Sequence, residues 1–364
     1  MQPPPFEPDF ERVRLALLGP GEPDHLPMVE FTVWPGHKAR ILGHPVRSMA
    51  DEVAFARLVG YDHVPFNVGL QTTPQLLAAM EGRRYEVDRA GSQTGAGGEE
   101  TVERRWAAGG AAAIADDADF ERFDWPDPDE FDYGLLEEAE AVVPPSMKVV
   151  VQIGKIFNPV WWLMGFETFS MALYDNPDLI RRMFDRVGAI QLRALERALD
   201  YPCVGAYLHA DDVAFNTSLM VSPEVLRRYA FPWFRRLVDL AHQAGVLAIY
   251  HSDGKLDAVL EDIIGLGFDG LHPIDPMGMD IAATKRRVAG RVGLLGNIDL
   301  RYTLTQGTPA EVEAEVRQRI WDLAPGGGYC LSSANSIPDY VPLENYLAMR
   351  RAWLRHGRYP IGSG

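Results

Sequence analysis

From about residue 146 the chain alternates short apolar runs with longer amphipathic stretches, a rhythm that few architectures satisfy. It calls for repeated strand–helix units packed round a parallel sheet. The runs fall at 149–153, 204–208, 246–250, 270–274, 292–295 and 329–331. Two earlier runs, Met28-Val29-Glu30-Phe31 and His63-Val64-Pro65-Phe66, bring the candidate strands to eight. The expected fold is therefore α/β, a (β/α)8 TIM barrel. It is expected to form a single domain over residues 1–364, a length such barrels reach when they carry insertions.

The connecting helices carry recognisable start signals. Thr308-Pro309-Ala310-Glu311 combines a capping threonine, proline at the first helical position and a glutamate placed to close a capping box. Ser222-Pro223-Glu224 opens a second helix that runs to about His242, with Gly245 beyond it. The segment 86–145 breaks the rhythm with a Gly/Ser/Thr-rich stretch at 91–98 and the turn cluster Asp124-Trp125-Pro126-Asp127-Pro128-Asp129. It is expected to be an insertion in the N-terminal half of the barrel. A hairpin with a lid over the barrel mouth and a solvated loop without a role fit it equally.

Composition removes several functions. A formal charge of −16, with no cluster of Lys or Arg, lacks the electrostatic footprint of a nucleic-acid or membrane-surface binder. Cys203 and Cys330 are too few for a disulfide framework and lack the spacing of a zinc knuckle, which suits a reducing compartment. The first residues show no basic start followed by an apolar run, and no stretch is apolar enough to span a membrane, so a cytoplasmic location is expected. Dinucleotide, P-loop and nucleophile-elbow motifs do not occur.

The positions of the polar residues are more telling. His209, Asp211 and Asp212 follow one candidate strand, His251 and Asp253 the next, then His272 and Asp275, then Asn297 and Asp299. Ser332, Ser333, Asn335 and Ser336 follow the last. In a barrel all these strand ends reach one rim, where active sites are built, although any single Asp or Ser there also serves as a helix cap. His251 and Asp253, two residues apart, suit general acid/base work or a metal ion with mixed N and O ligands. The adjacent carboxylates Asp211 and Asp212 would repel if both were buried and ionised, so one is expected to face inward and the other outward. Trp162 and Tyr207 are candidates for flat apolar walls against a substrate, with plain core packing the more ordinary role.

These motifs resemble the uroporphyrinogen decarboxylase superfamily, which includes cobalamin-dependent and corrinoid:thiol methyltransferases. The resemblance runs through the C-terminal two-thirds of the chain. It is carried by Trp162-Leu163-Met164-Gly165-Phe166-Glu167, Asp211-Asp212, Ser222-Pro223-Glu224, Tyr250-His251-Ser252-Asp253-Gly254 and Gly296-Asn297-Ile298-Asp299. The stretch from Ala324-Pro325-Gly326-Gly327-Gly328-Tyr329 through Asn335-Ser336-Ile337-Pro338 to Pro342-Leu343-Glu344-Asn345 completes it. The fold implied is again a (β/α)8 barrel.

The departures narrow the chemistry. Zinc methyltransferases of this superfamily have His-x-Cys and a later Cys where this chain has His251, Asp253 and Asn335, so both thiolates are missing. Such a set still suits a harder divalent metal. Decarboxylases use an early Asp where this chain has Asn67 and a His where it has Asn335, and the segment 34–40 does not reproduce their arginine motif. The resemblance therefore implies a methyltransferase-like enzyme that demethylates a small O- or N-methylated metabolite. Asn67, Trp162, Tyr207, His272, Asp299 and Asn335 would line the substrate, and His251, Asp253, Asp211 and Asp212 would carry the chemistry. A divalent metal at His251 and Asp253 is compatible with the residues. The chain has no Asp-x-His-x-x-Gly cobalamin signature, so a corrinoid would arrive on a partner protein. Nothing in the sequence opposes a homodimer. Uroporphyrinogen decarboxylation and a non-catalytic barrel that binds a small molecule stay open as alternatives.

Overall fold

The computed structural model describes residues 6–19, 21–80, 85–88, 104–107, 112–288 and 290–362. The strands are β1 (His63–Asn67), β2 (Tyr85–Asp88), β3 (Arg104–Ala107), β4 (Lys148–Ile153), β5 (Val204–Ala210), β6 (Leu247–His251), β7 (Gly270–His272), β8 (Gly293–Ile298) and β9 (Tyr329–Ser333). Seven of them form one parallel sheet in the order β1-β4-β5-β6-β7-β8-β9. Helices connect successive strands, as parallel crossovers require. β2 and β3 pair separately as an antiparallel hairpin.

Two separate apolar clusters explain why the strands are hydrophobic on both faces. Val150, Ala206, Leu208, Ala210, Leu247, Ile249, Leu295 and Cys330 gather on the concave face with Val29 and Phe31. Their neighbours in sequence, among them Val149, Val151, Tyr207, Ala248, Tyr250, Leu294 and Leu331, join the larger cluster that packs against the helices. The helix Glu11–Leu18 seals the inner cluster with Val13, Ala16 and Leu17. A Cβ at Gly293 would stand 2.5 Å from the Leu17 side chain, so the close seating of this helix needs glycine there.

The expected eight strands become seven strands and one bridged segment. Met28 makes an isolated parallel bridge to Leu331, and the backbone N–H of Val29 donates to Leu331 O. On the other side the Glu30 carbonyl accepts from the His63 ring rather than from a backbone N–H. Pro27 brings no N–H, and a side-chain ring stands in for the ladder donor, so regular pairing does not extend along this segment.

The capping box at Thr308 and Glu311 is present. Ser222 begins its helix without a side-chain cap, and a π-helical turn at Leu226–Ala230 lies within the run to Gln243. Within 86–145, the whole Gly/Ser/Thr-rich stretch at 91–98 lies outside the described residues. Beyond the hairpin, the described residues of this segment form the helices Asp117–Arg122 and Gly134–Val142 with a 3-10 turn at Pro128–Glu130 between them. Among the described residues no helix is long and apolar enough to cross a membrane.

Candidate active site

His251 ends β6 with its side chain on the concave side, in phase with Leu247 and Ile249. The turn that follows is tightly braced. The N–H of Ser252 donates to His272 O, Ser252 Oγ accepts from the Val213 N–H, and Asp275 accepts from the Gly254 N–H at 3.1 Å. Gly254 has φ 87°, and a Cβ there would lie 2.7 Å from the carbonyl oxygens of Ala214 and Phe215, so no other residue fits. This turn delivers Asp253 to the face reached by His251.

His251 Nε2 stands 3.9 Å from Asp212 Oδ1 and 3.9 Å from Asp253 Oδ1. One ligand-capable atom from each of the three residues falls within 4.8 Å of the others. Asp212 Oδ1 also accepts from the Asp253 N–H at 2.9 Å, and Asn335 Nδ2 donates to Asp253 Oδ2 at 2.6 Å. Asn335, far away in sequence, thus orients the carboxylate next to His251.

Behind His251 the ring of His272 lies almost parallel, at 28° and 4.9 Å between centroids, with Nδ1 to Nδ1 at 2.7 Å. Burial pushes His251 down to about 4, against the pull of Asp212 and with the help of Lys155. Burial and the neighbouring His251 push His272 well below its ordinary value. Both rings are therefore neutral at pH 7, the state in which imidazole ligates a metal or accepts a proton.

The other expected residues divide. Asp211 is fully buried and accepts from the N–H groups of Ile156, Phe157 and Asn158 at 2.8, 2.6 and 2.9 Å, at the start of the helix Phe157–Met164. Its carboxylate satisfies a helix end, whereas Asp212 faces His251; the inward and outward assignment of the pair follows this division. Tyr207 and His209 turn away from the concave face, bonded to each other at 2.5 Å within the layer against the helices, so neither meets the cluster. Asp299 accepts from the N–H groups of Arg301, Tyr302 and Thr303 and caps that turn. Asn67 ends β1, exposed, and accepts from Gln71 Nε2 at 2.8 Å. Trp162 is half-buried with Lys155 Nζ 5.6 Å over its ring.

Lys155 and Glu30 escaped sequence reasoning. Lys155 donates to Ala210 O at 2.8 Å, two residues before Asp212, and its place just after β4 was the available signal. Glu30 is a carboxyl inside an apolar run, 1% exposed, which accepts from the Ser333 N–H and Oγ–H. Burial pushes it up to about 8 despite these donors. The folded chain then keeps a proton on Glu30 that the unfolded chain releases near 4.5, so stability falls as pH rises through that window. Between pH 6.5 and 8, urea denaturation of the wild type should show a loss of about 1 kcal/mol per pH unit from this group. Glu30→Gln should be markedly flatter, the remaining slope coming from Asp62, which burial pushes up to about 7. Equal slopes in the two proteins would contradict the assignment.

With this geometry in place, the likeness to known proteins has a structural footing. Residues 111–356 match the uroporphyrinogen decarboxylase (URO-D) family. The chain belongs to that family. Methylcobamide:CoM methyltransferase MtaA of Methanosarcina barkeri is 29% identical over 163 residues, covering 42% of this chain and 47% of the relative. Uroporphyrinogen decarboxylase of Burkholderia thailandensis is 25% identical over 209 residues, covering 53% of this chain and 51% of the relative. The chain thus spans about half the length of the curated relatives it matches. A methyltransferase from Methanosarcina mazei superposes with a TM-score of 0.67 at 19% identity, over 96% of this chain and 99% of that one, so the two share a fold. The helices and parallel sheet of this URO-D member carry the Asp212, His251 and Asp253 cluster at the strand ends, and its relatives include both methyltransferases and decarboxylases.

Proposed function

We propose that this URO-D family member is a methyltransferase-like enzyme that demethylates a small O- or N-methylated metabolite, with Asp212, His251 and Asp253 holding a divalent cation at the strand ends. The observation that carries the reading is the convergence of one imidazole nitrogen and two carboxylate oxygens within 4.8 Å. That donor set suits zinc, manganese or iron(II), whereas the thiolates that the superfamily's zinc enzymes use are missing. When bound, such a cation supplies Lewis-acid polarisation of the substrate heteroatom that loses the methyl group.

The chain's own residues do the rest. Asp212 and Asp253 give the site negative charge, and Asn335 keeps Asp253 in position. Lys155, beside Trp162, offers a cation for an anionic substrate group. Asn67 and Gln71 place neutral amides at the end of β1. The relative named for methylcobamide and CoM supports a corrinoid, brought by a partner protein, as methyl acceptor.

Decarboxylation draws on the Burkholderia relative, but Asn67 brings no carboxylate and Lys38 is engaged by Glu52 at 2.7 Å. The deciding experiment incubates the metal-loaded protein with a corrinoid protein, separately with a panel of methoxy compounds and methylamines and with uroporphyrinogen. Corrinoid methylation supports the proposal. Coproporphyrinogen formation, or binding without turnover across the panel, overturns it.

Asn335→Ala removes the donor that orients Asp253. Because outer partners of metal ligands typically matter by about 10–100-fold, cation affinity measured by calorimetry should weaken by that factor. Unchanged affinity would remove Asn335 from the site.

A further inference from the structure

β5 and the chain beyond it reach farther than the strand on one side of them. The last pairing with β4 joins Ile153 to His209, whereas β6 still pairs His251 with Ala210, and the Asp211 N–H donates to His251 O. The main chain at 210–213 therefore has a partner strand on one side only, and its polar groups on the β4 side need other partners. Side chains from the loop and helix after β4 supply them. Lys155 Nζ donates to Ala210 O at 2.8 Å. Asn158 Nδ2 donates to Asp212 O at 2.8 Å, and Asn158 Oδ1 accepts from the Asp212 N–H at 3.1 Å. On the β6 side Tyr250 Oη–H donates to Asp211 O, and Ser252 Oγ accepts from the Val213 N–H.

Asn158 thus does for Asp212 what a peptide group of a neighbouring strand would do, with one donor and one acceptor aimed at the same residue. A flipped amide would set oxygen against oxygen and NH2 against N–H, so its orientation is determined. The side chain is 2% exposed and stands in the first turn of the helix Phe157–Met164, which holds it in place.

A carboxylate carried just past a strand end moves with the φ and ψ of its own residue. Asp212 Oδ1 stands 3.9 Å from His251 Nε2 and accepts from the Asp253 N–H at 2.9 Å, a placement that requires the main chain at 212 to be fixed. We propose that Asn158 is a positioning residue of the cation site, clamping the main chain from which Asp212 reaches toward His251 and Asp253. Asn158 acts through Asp212 and touches neither the cation nor the substrate. The inference rests on the proposed cation site for its chemical consequence. Two buried or half-buried amides then serve the two carboxylates in different ways: Asn335 holds the Asp253 side chain itself, and Asn158 holds the backbone that carries Asp212.

The test uses the chelator-stripped full chain with cobalt(II) as the probe, because the visible bands of this ion follow the number and arrangement of its ligands. Asn158→Asp keeps the shape of the side chain and its acceptor but sets an oxygen against the Asp212 carbonyl, and Asn158→Ala removes both partners. Both variants should bind cobalt about 10–100-fold more weakly by calorimetry, with bands displaced from those of the wild type. Asn345→Ala separates positioning from plain stability, since Asn345 is a similarly buried amide that holds the carbonyls of Leu304 and Gly307, outside the cluster. It should unfold at lower urea yet keep wild-type affinity and bands. Wild-type affinity and bands in both Asn158 variants, or equal losses in Asn345→Ala, overturn the proposal.

A second readout needs no metal. Hydrogen exchange resolved to single amides should show the Asp212 N–H of Asn158→Ala exchanging about tenfold faster than in the wild type, the size of one lost hydrogen bond. A wild type that binds no cobalt fails on the cation reading and takes the role of Asn158 at the site with it. A wild type that binds cobalt, while Asp212 exchange is unmoved in Asn158→Ala, fails on the clamp alone.

Discussion

Asp211→Ala is expected to lower the unfolding free energy by about 3–5 kcal/mol, whereas Asp212→Ala, one residue on, should change it by less than about 1 kcal/mol. Asp211 is fully buried and holds three backbone N–H groups at the start of the helix Phe157–Met164. Truncation strands those donors in a site that water does not reach, at about 1–3 kcal/mol for each group left unpaired. Asp212 is partly exposed, and its loss leaves only the Asp253 N–H in want of a partner. The same pair should reverse in function, with activity lost in Asp212→Ala and largely kept in whatever fraction of Asp211→Ala is folded. Urea denaturation and initial rates on matched samples check both halves. Equal destabilisation by the two substitutions would show that the division of labour is wrong.

His251→Ala is expected to reduce the rate by about 10²–10⁴-fold while the fold persists, whether the imidazole acts as ligand or as base. The His251 side chain keeps some exposure at the end of β6, beside Asp212 and Asp253, so its truncation removes chemistry more than core. Cation affinity should fall in parallel, and a return of activity with added imidazole would strengthen the assignment. A variant with wild-type rates would exclude His251 from the reaction.

Much of this was legible in the sequence, and what was missed has physical causes. The strand–helix alternation located the seven strands because parallel strands are apolar on both faces and stand out as runs. The segment at 28–31 reads the same way, yet Pro27 and the His63 ring reduce it to a bridge. Strand-end position brought His251, Asp253, Asp212, His272 and Asn335 into view, and the structure joins all five through short contacts. Tyr207 misled because alternation along β5 turns it to the outer layer, a parity visible only once Ala206 and Leu208 are known to face inward. Asp299 and Asp211 misled because a carboxylate after a strand looks alike whether it meets a substrate or a row of N–H groups. Glu30 was hidden in an apolar run, where the partners that make its burial tolerable lie some 300 residues away.

The central claim is that Asp212, His251 and Asp253 form one cation site, and equilibrium dialysis measures it most directly. The chelator-stripped chain would be dialysed against zinc, manganese and iron(II), with elemental analysis of the retained protein. The structure predicts one tightly held ion per chain for at least one of these metals, lost in both His251→Ala and Asp253→Ala. No bound ion with any of the three, or full binding in both variants, would contradict it.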